Sequence, residues 1–257
     1  MKGEHPGSLS QGIYYEVHGS GIPLFLGFPI MASYGGIFGE ANASVLSGFL
    51  DRLTDRYRVL VVDYPSIGKS VSIPPTELTG ERVSADMLAV ADAAGFDDFA
   101  WWGGTWGAVV GLQLASRSER VSALVCSGWP PIGAPYTDML RGVRANVANP
   151  PPHARVILRD PSQYAQWVSF YESIQDWPEA QAVARIQCPR MAVFGSEAEG
   201  DVAGIPLPFG ATIRERRAEL EALGWRVTEI PGRDNSVMID PLTIVPVVRK
   251  FLDAMKW

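Results

Sequence analysis

Short, continuous apolar runs recur along the chain, each followed by apolar positions that return at helical spacing. Pro23-Leu-Phe-Leu-Gly27, Arg58-Val-Leu-Val-Val-Asp63, Phe99-Ala-Trp-Trp-Gly103 and Val121-Ser-Ala-Leu-Val-Cys126 read as strands. They are apolar throughout rather than alternating, the pattern of strands in a parallel sheet covered on both faces. Gly12 to His18 alternates instead, as an edge strand does, and Gly19-Ser20-Gly21 marks a turn. Residues 43–57 place Val45, Leu46, Phe49, Leu50 and Leu53 on one helical face. Residues 79–94 and 108–116 read as further helices. The alternation predicts an α/β protein: a doubly wound, mostly parallel central sheet with helices on both faces.

The pattern breaks at Gly128-Trp-Pro-Pro-Ile-Gly-Ala-Pro135. No strand is expected from there to about Ala184. Residues 136–147 and 162–174 read as helices, with Pro150, Pro151, Pro152 and Pro161 between them. Strand pattern returns in 189–195 and 225–230. A helix is expected over 212–223 with Thr212 as its cap, and a closing helix over 241–255 with Pro241 in its first turn. The expected organisation is a core domain of 1–128 and 185–257, interrupted by a helical insertion of 129–184.

In Phe99 to Ala115 a strand turns abruptly into a helix, and such a strained, closely packed turn needs glycine. Its centre, Gly103-Gly104-Thr105-Trp106-Gly107, reads G-x-T-x-G. It resembles the G-x-S-x-G nucleophile elbow of the α/β-hydrolase superfamily, with Thr105 where the serine is expected. Asp63-Tyr-Pro-Ser-Ile-Gly-Lys-Ser70 resembles the D-x-P-G-x-G-x-S loop of the same superfamily, with Ser66 replacing a glycine. That loop is structural in the superfamily, so Asp63 and Ser70 receive no catalytic role. The resemblance covers nearly the whole chain and implies the α/β-hydrolase fold, with 129–184 as its lid. It implies that the lid aromatics Trp129, Tyr136, Trp167, Phe170 and Tyr171 line an apolar pocket. It also implies an oxyanion hole made by the N–H groups of Phe28 and Trp106, since Leu26-Gly27-Phe28 stands where the superfamily carries His-Gly. The superfamily orders its triad as nucleophile, acid, histidine. Thr105 takes the first place, and Glu197, Glu199 or Asp201 the second. Gly232-Arg-Asp-Asn235 puts Asn235 where the histidine belongs.

That exchange decides the chemistry. An asparagine amide accepts no proton near neutral pH. Loss of a triad base costs on the order of 10⁶ in kcat. Threonine keeps the hydroxyl, but its methyl group restricts χ1 and crowds the attack path. The chain has three histidines. His5 and His18 are expected far from the elbow, and His153, beside prolines in the inserted segment, is expected in a surface loop, with entry to the pocket as the alternative. What remains suits stabilising an enolate, or holding a substrate that brings its own base. In this the chain is similar in type to the non-hydrolytic peptide epimerase of bottromycin biosynthesis. The resemblance implies a cofactor-independent isomerase, epimerase, lyase or cyclase acting on a natural-product or peptide-like substrate. Weak ester or amide hydrolysis through Thr105, and ligand binding without catalysis, are the alternatives. Glu197, Glu199, Asp201 and Asp234 are the candidate acid–base groups.

Composition narrows the partners. A net charge of −6 and a pI near 5.1 give no basic footprint for nucleic acid. No Cys/His cluster has zinc spacing, so no metal or cofactor is expected. No apolar stretch is long enough to span a bilayer, and residues 1–12 lack the apolar core of a secretory signal. Cys126 and Cys188 sit in or beside strand-like runs. They are expected as free thiols of a cytoplasmic protein.

Overall fold

The computed structural model describes residues 5–257. Its main sheet has eight strands: β1 (His5–Ser10), β2 (Ile13–His18), β3 (Ile22–Leu26), β4 (Tyr57–Asp63), β5 (Phe99–Gly104), β6 (Val121–Ser127), β7 (Arg190–Gly195) and, last in the chain, β10 (Trp225–Ile230). Their order across the sheet is β1-β2-β4-β3-β5-β6-β7-β10. β1 and β2 pair antiparallel with each other, and β2 pairs antiparallel with β4. Every other pairing in this sheet is parallel.

The continuous apolar runs follow from burial on both faces. On β5, Trp101 enters one core beside Phe25, Leu60, Leu124 and Phe194. Its neighbour Trp102 enters the other, beside Leu24, Leu26, Val59 and Val125. Both rings are fully buried, so each indole N–H needs an acceptor. Trp101 Nε1 donates to the Gly107 carbonyl at 3.0 Å, and Trp102 Nε1 to Ser127 Oγ at 2.8 Å. The two tryptophans thus pin the turn that leaves β5.

Several elements depart from the sequence reading. β1 has no apolar pattern of its own and forms by pairing with β2. Helix Glu40–Leu53 begins and ends earlier than expected. Thr79 does cap helix Gly80–Ala93, accepting from the Arg82 N–H at 3.0 Å. Between β6 and β7 lie helices Tyr136–Ala145, Pro152–Ile157, Ala165–Ser173 and Glu179–Arg185. The second of these was hidden in what reads as a proline break; Pro152 instead occupies its first turn, where no N–H is required. A second sheet was not expected at all: β8 (Gly200–Val202) and β9 (Ile205–Leu207) form a hairpin after β7. The helix expected over 212–223 is two, Phe209–Glu215 and Arg217–Ala222. Thr212 therefore lies inside the first rather than capping it. The closing helix Pro241–Leu252 is capped by Asp240. Among the described residues no helix is long and apolar enough to cross a membrane.

Candidate active site at the strand-to-helix elbow

Thr105 sits between β5 and helix Trp106–Ala115 with φ +44° and ψ −112°. A β-branched residue is an outlier at positive φ, and such strain persists only where its surroundings enforce it. Here the enforcing contact is close packing of glycine backbones. A Cβ on Gly103 would lie 2.1 Å from the Gly107 carbonyl oxygen, and one on Gly107 would lie 1.9 Å from that of Gly27. The same Gly107 position is 3.5 Å from Phe28 Cα, so the Phe28 backbone abuts the helix N-terminus. Among the described residues, neither the Phe28 nor the Trp106 N–H finds a backbone acceptor. Amides without a backbone acceptor beside a helix N-terminus are the kind of group that favours an anion.

Thr105 opens on a cavity of about 580 Å³. Half of its lining comes from residues 139–171, including Met139, Tyr164, Trp167 and Tyr171. The β8–β9 hairpin supplies another wall with Asp201, Val202 and Leu207. Trp106, Trp129 and Phe209 complete the aromatic surface. Among the described residues no Lys or Arg lines it.

The aromatic assignments need correction in part. Trp106, Trp129, Trp167 and Tyr171 reach the cavity. Phe170 and Tyr136 stand behind it: the Phe170 ring packs on Trp106 at 5.0 Å, and the Tyr136 ring on Trp129 at 5.8 Å. The Phe28 side chain lies in the core beneath the opposite sheet face, against Phe49 and Trp102. Only its backbone is available to the site.

Thr105 and Asn235 come to the same rim. The Thr105 N–H donates to the Ser127 carbonyl at 2.9 Å, and Asn235 Oδ1 presses on the next residue, Gly128. A Cβ on Gly128 would lie 2.3 Å from that oxygen. Asn235 Oδ1 is buried and has no hydrogen-bond partner among the described residues. No hydrogen bond described here joins Thr105, Asn235 and a carboxylate in series. Glu197 and Glu199 are exposed and absent from the cavity wall, while Ala198 between them is buried. Asp234 caps the turn Asn235–Ile239 by accepting from the Ser236 hydroxyl and N–H, which hold its carboxyl below the usual range. Asp201 is the candidate acid that lines the cavity, and its Oδ1 accepts from the Gly204 N–H at 3.0 Å. Asp63 is structural, as expected: buried, it accepts from the Ser33 and Lys69 N–H groups, each at 3.0 Å.

One group escaped the sequence reading, and another meets both of its readings. His153 is exposed and also lines the cavity, from helix Pro152–Ile157. Glu179 accepts from the Gly133 and Ala134 N–H groups at 2.6 and 3.3 Å, fastening the loop that carries Trp129. Burial outweighs those donors and pushes its carboxyl up to about 7. The proline spacing around His153 held the only sequence signal for either, and it was ambiguous.

A family model described as alpha/beta hydrolase fold matches residues 35–151. A protein of Azorhizobium caulinodans named as a carbamate hydrolase, RutD, is 33% identical over 120 residues, 46% of this chain and 41% of that protein. The chain thus spans less than half the length of the curated relatives it matches. The crystal structure of the enol-lactonase from Burkholderia xenovorans LB400 superposes with a TM-score of 0.72 at 18% identity, covering 96% of this chain and all of that one. That of epoxide hydrolase VrEH1 from Vigna radiata gives 0.67 at 14% identity, covering 99% of this chain and 98% of that one. Such distant structures bear on architecture rather than chemistry. Strand order, the strained elbow and these likenesses agree: the chain has the alpha/beta hydrolase fold.

Proposed function

We propose that this chain is a cofactor-independent, non-hydrolytic enzyme, an isomerase, epimerase or lyase, acting on an uncharged, largely apolar substrate beneath residues 129–184 as a lid. The observation that carries this reading is the retained elbow without its base. Thr105 is held at φ +44° beside two free amides, a costly arrangement that a mere packing turn does not need. Asn235 meanwhile turns its oxygen into Gly128 and offers no proton acceptor. Amides aimed at a developing negative charge serve an enolate as well as a tetrahedral oxyanion. The walls fit the same reading: among the described residues no Lys or Arg lines them, so a substrate carboxylate buried there would meet no such partner and would share the cavity with Asp201. Natural-product or peptide-like molecules of this character are the proposed substrates.

Incubation with a panel of apolar ketones, lactones and blocked peptides in deuterium oxide tests the reaction. Catalysed deuterium uptake at the carbon beside a carbonyl is the expected result. Its absence across the panel, together with hydrolysis of the same esters, would overturn it.

A hydrolase using Thr105 is the second reading. It is favoured by the Thr105 hydroxyl at the cavity and by relatives named for hydrolysis. Covalent labelling of Thr105 by a fluorophosphonate separates the two.

A further inference from the structure

We propose that His153 is the acid–base residue of the elbow cavity, delivered by helix Pro152–Ile157 in place of the imidazole that the β10 loop lacks. The proposal rests on the reading of this cavity as a substrate pocket.

Four titratable side chains line the cavity: His153, Tyr164, Tyr171 and Asp201. Burial pushes both phenols up, so near neutral pH they donate hydrogen bonds and accept no proton. One oxygen of Asp201 is committed to the turn of its own hairpin. An imidazole can both take and return a proton, as an acid–base residue must. His153 and Ile157 are four residues apart on one helix, hence on one face, and both line the cavity. Among the described residues no side chain or backbone group engages the His153 ring by hydrogen bond, so it is free for a ligand. His18 contrasts with it: its ring is bound to Glu16 at 3.1 Å on β2, away from the cavity.

The chemistry balances without a co-reactant. The imidazole, through its lone-pair nitrogen, takes a proton from the carbon beside a substrate carbonyl. The electron pair of that C–H bond becomes the enolate, whose oxygen accepts from the Phe28 and Trp106 N–H groups. The imidazolium then returns the proton to carbon, and the product is an isomer or epimer of the substrate.

The test needs no natural substrate. Nitrobenzisoxazole is an uncharged aromatic probe that a base in an apolar pocket opens: the C–H proton goes to the base, the N–O bond breaks, and a coloured cyanonitrophenolate forms. Binding is read separately by quenching of tryptophan fluorescence. The wild type should accelerate the reaction, and His153→Ala should lose about 10²-fold while still binding the probe. Free imidazole should restore part of the rate in His153→Ala and add little to the wild type. His153→Gln should be equally slow, which separates loss of the base from loss of packing. His18→Gln should match the wild type. Equal rates in wild type and His153→Ala, with the probe bound by both, would overturn the role of His153 and leave the pocket standing. Bound probe with no acceleration by the wild type would do the same. A probe that does not bind the wild type would overturn both the pocket and the proposal.

Discussion

Thr105 concentrates the tension of this molecule in one residue. Its backbone conformation costs about 1–3 kcal/mol, and a serine would suffer less at χ1. The strain is maintained by Gly103 and Gly107, whose bare Cα atoms let strand, helix and the Gly27 segment touch. The residue at position 235 on the same rim is an amide, and its oxygen faces Gly128. Activated aryl esters should accordingly be hydrolysed barely above background. The double change Thr105→Ser with Asn235→His should raise that rate by ~10²–10³, since a positioned base contributes about 10²–10⁴ and its supporting shell is incomplete. Each single change should give less, because triad members act as a unit. Robust wild-type turnover, lost in Thr105→Ala, would make Thr105 the nucleophile. A folded double variant with no gain would locate the further defect at the acid, where Ala198 is buried between two exposed glutamates. At this scale, position after a strand was legible: Thr105 follows β5 and Asn235 lies in the segment after β10, where the sequence places them. Facing was not. Phe28, Tyr136 and Phe170 are as aromatic as the rings that line the cavity, and only packing turned them away from it.

Among the elements, strands were legible because burial on both faces leaves an unmistakable apolar run. The hairpin β8–β9 was not. Its turn, Ala203-Gly204, has positive φ at both residues, +54° and +75°, yet carries alanine where glycine, asparagine or aspartate usually signals such a turn. The loop 128–135 and helix Glu179–Arg185 are likewise joined by a contact with no sequence signature, the Glu179 carboxylate on two backbone N–H groups. That contact makes a pH prediction. Burial raises the folded-state pKa of Glu179 from 4.5 to about 7, so the fold favours the protonated acid. Its charged form weighs against folding, and stability should fall as pH rises from about 4.5 through about 7. Glu179→Gln, which never ionises, should be more stable than wild type near pH 8 by about 1–2 kcal/mol, discounted for partial exposure, and gain nothing near pH 5. Thermal melts of both proteins across that range check it. A variant equally destabilised at both ends would mean the carboxylate bonds outweigh its burial.

The cavity belongs to the whole molecule, for no element contains it. The turn after β5 brings Thr105, the segment between β6 and β7 brings Trp129, Trp167, Tyr171 and His153, and the hairpin after β7 brings Asp201. Uncharged aromatic ligands should quench tryptophan fluorescence and raise Tm. Saturation to a hundredfold over Kd adds about 2.7 kcal/mol, several degrees for a chain of this size. Carboxylates of the same shape should bind more weakly, because no Lys or Arg among the described residues meets them. Equal or tighter binding of the acids would contradict the polarity read from the lining.

Sequence alone determined what depends on periodicity and on residue identity at a fixed place: the mostly parallel sheet and the glycine-lined turn from strand to helix. Each is a local property, carried by a few neighbouring residues and their spacing. The tertiary structure decided what depends on distance through space. It set which aromatics face the cavity, that Asn235 turns toward Gly128, and that His153, exposed as expected, also lines the cavity. The physical reason is that a side chain's surroundings come from segments far away in the chain, so its role is settled only when those segments pack.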